Sequence, residues 1–234
     1  MEWANRILLA ALTLAAPAVC QQTYVTRYDA FFGYAYLNSP AIKLPESGYQ
    51  FQIGFRPSTR YSVGFDYSQA YGDLTLTPEL LPDSLQQQLG TRLAQLAALG
   101  QLPPGYKLAV PARSKTQTFS LGPQLAFRRF KQVTFFVRPS MGAIHEVARP
   151  SPKDPIAQGI VAQLAPSGRK RDWTGFFGAG AGIDLNLSNH VSFRIQGDYV
   201  YDHLFNDILK DGRRTMRFGV GPCFNFGRNI AVPK

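Results

Sequence analysis

Tyr49-Gln50-Phe51-Gln52-Ile53-Gly54-Phe55-Arg56 alternates without exception between apolar and polar residues. Successive side chains of an extended strand point to opposite faces. The stretch is therefore a two-faced ribbon, with Tyr49, Phe51, Ile53 and Phe55 on one side and Gln50, Gln52, Gly54 and Arg56 on the other.

The same period runs outward in both directions. Upstream, Tyr28, Ala30, Phe32, Tyr34 and Tyr36 oppose Arg27, Asp29, Gly33 and Ala35, with Phe31 on the polar side. Immediately downstream, Tyr61, Val63, Phe65 and Tyr67 oppose Arg60, Ser62, Gly64, Asp66 and Ser68. Five further ribbons follow. Their apolar faces start at Phe119, Val133, Trp173, Val191 and Met216, and their polar faces carry Arg128, Arg138, Asp184, Arg194 with Asp198, and Arg217. The total is about eight strands, each close to the ~9–11 residues that cross a bilayer at a tilt.

The connections alternate in length. Pro57-Ser58-Thr59, Arg129-Phe130-Lys131 and Ser188-Asn189-His190 are tight turns, and longer loops cover about 38–48, 70–114, 146–172 and 203–212. Short turns at one end and long loops at the other are the build of an outer-membrane barrel. The pattern predicts an all-β, eight-stranded, antiparallel, up-and-down transmembrane β-barrel with short periplasmic turns and long extracellular loops.

A soluble lipocalin-like barrel also alternates, with the apolar face inward. Three features favour the opposite sense. The polar face is rich in glycine, which weakens a strand unless something crowds it. Its charges are Arg and Asp, whereas the lysines lie in loops, turns, strand edges or the terminus. Arginine makes rigid multidentate pairs suited to a dry interior. Arg27, Arg56, Arg60, Arg128, Arg138, Arg194 and Arg217 are thus expected to neutralise Asp29, Asp66, Asp184 and Asp198 in the lumen. Finally, Tyr34, Tyr36, Tyr49, Tyr67, Trp173, Tyr199 and Tyr201 gather at the long-loop ends, and Tyr24, Tyr28 and Tyr61 near the other end. Amphipathic rings settle at lipid–water boundaries, so these two sets read as girdles. Pro123, Pro139 and Pro222 interrupt strands and call for bulges beside Gly122 and Gly221.

Composition agrees. Of 234 residues 45% are hydrophobic and only 17% charged, below the usual quarter of a soluble protein. The net charge of +10 is spread along the chain and accompanies no nucleic-acid motif. Arg6, the apolar run Ile7–Ala16 and the small residues Ala16-Pro17-Ala18 make residues 1–20 a cleaved signal peptide, leaving 21–234 as the barrel domain with loop inserts at about 70–114 and 146–172. The two cysteines, Cys20 and Cys223, provide neither a stabilising disulfide nor a metal-ligand spacing, and no cofactor is expected.

Within the 70–114 loop, Leu81, Leu85, Leu89, Leu93 and Leu96 recur at helical spacing after Pro82, which fits the first turn. Ile156, Ile160, Val161 and Leu164 form a second apolar patch, and the two can pack as a lid. Arg169-Lys170-Arg171 beside Trp173 would face outer-leaflet head groups, making lipid or lipopolysaccharide an expected partner. His145 beside Glu146 and His203 beside Asp202 lack a distinctive serine–histidine–acid spacing, so no enzyme site is expected.

The stretches Phe31-Phe32-Gly33-Tyr34-Ala35-Tyr36, Gly122-Pro123-Gln124-Leu125-Ala126-Phe127-Arg128 and Phe136-Val137-Arg138-Pro139 resemble the small outer-membrane β-barrel superfamily, which includes OmpA-like transmembrane domains and opacity-type surface proteins. The resemblance covers roughly residues 24–227. It implies a polar, largely plugged lumen, outward-facing loops, and a structural, adhesive or weakly pore-forming role. It also implies the barrel assembly machinery as a partner during biogenesis. Such barrels typically end on an aromatic residue, whereas here Phe226 is followed by Gly227 to Lys234. The leading expectation is a non-enzymatic surface barrel; a narrow pore and a lipid-modifying hydrolase are the alternatives.

Overall fold

In the computed structural model, which describes residues 22–210 and 213–231, eight antiparallel strands close into a barrel. They are β1 (Thr26–Ser39), β2 (Leu44–Phe55), β3 (Tyr61–Leu76), β4 (Val110–Phe127), β5 (Val133–Pro150), β6 (Lys170–Asn186), β7 (Val191–Asp202) and β8 (Arg213–Asn229). Each strand pairs with its sequence neighbours, and β1 pairs with β8, so no free edge remains among them. The expected signal peptide, residues 1–20, lies outside the described residues.

Alternation places the two faces as the ribbons require. Phe32, Phe65, Leu121, Phe177 and Phe224 point outward and are exposed, while Asp29, Asp66, Asp184, Arg194 and Arg217 point inward and are buried. An exposed apolar band encircling the whole barrel is far larger than the patches a soluble monomer carries, so this wall faces hydrocarbon.

The strands run further than expected at the loop end. Asn38 and Ser39 close β1 and Leu44 to Gly48 open β2, so the first connection shrinks to a 3-10 turn at Pro40–Ile42 and Lys43. The second and third connections likewise shrink to about 77–109 and 151–169. β3 to β6 outrun the ~9–11 residues a membrane needs, so their loop-side ends stand above it.

Bulges beside Gly122 and Gly221 are not present. The β4–β5 register is unchanged from Ser120↔Gly142 to Leu125↔Val137, but the pairs between are missing. That register sets Pro123 opposite Pro139. Two residues without N–H groups leave a shared gap in one ladder instead of displacing a strand. Pro222 does the same where β8 meets β1: pairing lapses between Phe31↔Cys223 and Tyr34↔Val220. The shift in register falls elsewhere, between Thr26 and Tyr28.

Above the wall sits an apolar cap. Helix α1 (Asp83–Ala98) begins directly after Pro82, which is its N-cap rather than a first-turn residue. It packs through Leu89 against Ala157 and Ile160 of helix α2 (Pro155–Leu164), together with Leu81 and Leu108. A second cluster, including Leu44, Ile144, Phe176, Leu204 and Phe205, lies at the loop-side end of the lumen. The two apolar loop elements therefore form one lid.

Candidate functional site

The lumen is filled by stacked layers of ion pairs. In the layer nearest the short turns, the wholly buried Arg194 donates to Asp184 from Nε at 2.7 Å and from Nη2 at 3.0 Å, and to Asp29 from Nη2 at 3.0 Å. Arg56 lies 3.4 Å from Asp29 on the other side, and Gln52 accepts from Arg194 Nη1 at 3.1 Å. Phe31 and Phe136 point inward and flank the guanidinium at 5.8 and 5.1 Å. Two arginines thus face two aspartates, and the charges cancel.

The next layer repeats the count. Arg138 grips Asp198 through Nε at 3.0 Å and Nη2 at 2.7 Å, and lies 3.3 Å from Asp66. Arg217 bonds Asp198 at 2.9 Å and Thr118 at 2.8 Å, and Gln50 donates to Asp66. Each of these groups comes from a different strand, so a layer is a set of cross-barrel ties. Breaking one partner of a buried pair costs about 3–5 kcal/mol because the other charge is stranded.

Glycine makes the room. A Cβ added at Gly180 would collide with the Asp198 carboxylate, and one at Gly54 with that of Asp29. Gly54 and Gly180 are therefore the space into which Asp29 and Asp198 fold, while Gly219 and Gly182 make room for Gln50 and Phe136.

A third layer, nearest the lid, was missed in the sequence. Arg213 donates to Glu146 at 2.6 Å and to Asp202 at 3.2 Å; Ser114 donates to Glu146 at 2.9 Å and Thr116 to Glu46 at 2.9 Å. Glu46 and Glu146 belong to strands, not loops, and are buried. Their signal was available: Glu46 keeps the inward parity of Gln50 and Gln52, as Asp202 keeps that of Asp198 and Arg213 that of Arg217.

Three expected lumen residues lie elsewhere. The register shift between Thr26 and Tyr28 turns Arg27 out of the lumen, with its guanidinium 5.4 Å from the ring of the outward Phe55. Arg60 is exposed in the turn before β3. Arg128 closes the turn-side mouth, donating to the Thr59 carbonyl at 2.9 Å and Thr134 at 3.2 Å rather than to a carboxylate. The cavities along the interior are small: about 50 Å³ beside Arg56 and Arg128, about 10 Å³ beside Asp66 and Arg138, and about 80 Å³ between Glu146 and the lid residues Ile42, Leu164 and Phe205. A water needs roughly 10–15 Å³ of such space, so these cavities hold isolated waters, and none has a lining that runs from one mouth of the barrel to the other.

On the lipid face, all seven expected loop-side aromatics point outward, Tyr34, Tyr49, Trp173 and Tyr199 being well exposed. Tyr49, Tyr67, Phe119, Trp173 and His145 form a chain of ring contacts, ending in a 4.4 Å stack of His145 on Trp173. His145 also hydrogen-bonds Gln117 at 3.2 Å, and His203 meets Tyr201 edge-on at 4.8 Å. Both histidines are thus members of the aromatic belt or its border.

No family model and no curated protein matches the chain in sequence. Solved structures do match. Neisserial surface protein A is 10% identical, with 85% of this chain and 96% of that chain covered and a TM-score of 0.52. The attachment invasion locus protein Ail of Yersinia pestis is 14% identical, with 86% and 99% covered and a TM-score of 0.48. The outer membrane protein OprG of Pseudomonas aeruginosa is 10% identical, with 89% and 99% covered and a TM-score of 0.48. At such identities the likeness is one of fold.

Proposed function

We propose that this chain, which has the fold of the small outer-membrane β-barrels, serves in the outer membrane as a closed, non-enzymatic barrel that displays its lid to the exterior. The observation that carries the reading is the filled lumen: ion-pair layers tie opposite walls together, and the separate voids beside them measure about 10, 50 and 80 Å³. An eight-stranded barrel is just wide enough for side chains to fill. Conduction would require several buried pairs to separate at once, each at a cost of about 3–5 kcal/mol. Binding through the exterior is a more economical use of the fold, because β3 to β6 project beyond the bilayer and carry both helices. The barrel assembly machinery is the partner this reading requires during biogenesis. Planar-bilayer recording tests the proposal. A silent membrane after verified insertion is expected, and long-lived conductance steps would replace this reading with a pore.

A further inference from the structure

On the outward face of β4, β5 and β6, immediately above the aromatic belt, the strand register assembles four cations. Arg113 stands directly opposite Arg149, and Lys115 stands opposite Val147, which in turn stands opposite Arg171. The next outward row toward the membrane is Gln117, His145 and Trp173. Two strand residues span about 6.8 Å, so the lower cations lie one such step above the Trp173–His145 stack. Arg113, Arg149 and Arg171 are exposed, and Lys115 leans over the Tyr71 ring at 5.8 Å.

Like charges directly opposite one another destabilise a sheet, and the protein supplies little to offset these. Asp73 lies 3.9 Å from Arg113, but both side chains are 85% exposed, so water screens the pair. Glu146, on the same strand as Arg149, points inward and is bound to Arg213. Along the register row of Lys115 the cations do not continue: β3, β2 and β1 present Tyr71, Ser47 and Tyr36.

We infer that this patch holds the phosphate groups of an outer-leaflet lipid, its acyl chains running down over Trp173 and Phe177. The inference rests on the outer-membrane placement proposed above. Guanidinium forks match phosphate oxygens in pairs, and indole rings settle at the head-group boundary. A free phosphate ion would use the cations alone. Both Trp173 and Phe177 are exposed directly below them, at 59% and 65%, so the surface offers an amphiphile a continuous seat.

The test uses the full chain folded in detergent, with bisphosphorylated lipid A and the same lipid freed of phosphate as probes, and native mass spectrometry counting the retained molecules. The phosphorylated lipid is expected to be retained and the dephosphorylated one lost. Each cation removed is expected to weaken retention about fivefold, and R113Q/R149Q/R171Q together about a hundredfold. K115Q alone provides the single step if the triple variant fails to fold, folding being read from heat-modifiable gel mobility. Equal retention of the two lipids, or unchanged retention by a folded variant, would overturn the inference. Complete displacement of the lipid by an equimolar amount of inorganic phosphate would reassign the patch to the free ion. Failure of the chain to insert into vesicles would defeat the barrel placement itself, whereas an inserted barrel that retains no lipid would defeat only this inference.

Discussion

Arg194 and Asp184, from adjacent strands β7 and β6, meet through two hydrogen bonds of 2.7 and 3.0 Å in the interior of the barrel. The geometry is bidentate, with both groups removed from water. R194M is expected to destabilise the barrel by about 3–5 kcal/mol by stranding Asp184 and leaving Asp29 to Arg56 alone. R194K is expected to rescue only part of this, because an ammonium cannot reproduce the fork. Urea unfolding in lipid vesicles, followed by heat-modifiable mobility, gives the values; an unchanged midpoint in R194M would mean the pair contributes nothing.

Gly180 supplies the space for the next layer. G180A pushes a methyl group into the Asp198 carboxylate and therefore strains its grip on Arg138 and Arg217. A loss of about 1–3 kcal/mol is expected, the usual cost of overpacking. The same unfolding assay should show Ala181, an outward neighbour, tolerating A181G with a far smaller change.

The opposed prolines predict a local weakness. On the β4–β5 ladder the odd-numbered residues donate, since the Ala126 amide bonds back to Arg60 of the β3 side and the Ser151 amide to Pro111. The amides of Leu121 and Met141 therefore flank the interruption, whereas those of odd-numbered residues in 113–119 and 143–149 lie where the pairing is continuous. Hydrogen–deuterium exchange in vesicles should therefore be faster at the first set than at the second. Uniform protection along β4 and β5 would show that the gap is closed.

The lid has its own pH limits. Asp154 accepts from the Ala157 backbone N–H at 2.8 Å at the start of α2 and from the Tyr106 hydroxyl at 2.9 Å. The backbone bond, aided by the Tyr106 bond, holds its carboxyl below the ordinary range. A lowered carboxyl contributes stability above its unfolded value of about 4, and that stability disappears as pH falls through the folded value. Burial and the bond to Asp154 push the Tyr106 phenol up to about 12. Its contribution is complete below an unfolded value of about 10 and is lost as pH rises through the folded one. A fluorophore on L99C should report a steady lid between about pH 5 and 9. Loosening is expected beyond both limits, and D154N should abolish the acid limb.

Much of this architecture was legible because the membrane imposes a period of two over every strand, and Arg56, Asp66 and Arg217 all followed it inward. The errors arose where a local event broke or outran that period. Arg27 left the lumen at a register shift that no residue in its neighbourhood announces. Arg60 belongs to a turn, beyond the last inward position of β3. Glu46, Glu146, Asp202 and Arg213 lie beyond the tyrosine girdle, where the membrane no longer marks the outer face as apolar although the strands continue into water. The prolines looked like bulges one strand at a time; only the pairing of β4 with β5 shows that two of them share one gap.

Cys223 offers the most direct probe of the closed lumen. Its thiol points inward, fully buried, with Sγ 3.7 Å from Asp29 in the ion-pair layer of Arg194. In a C20S background it is the protein's single thiol. Exposure of the folded, vesicle-inserted barrel to a charged, membrane-impermeant thiol reagent from both sides should leave it unmodified until urea opens the barrel. Rapid labelling of the folded protein would mean that water and ions already run past Arg194, and the filled lumen would have to be abandoned.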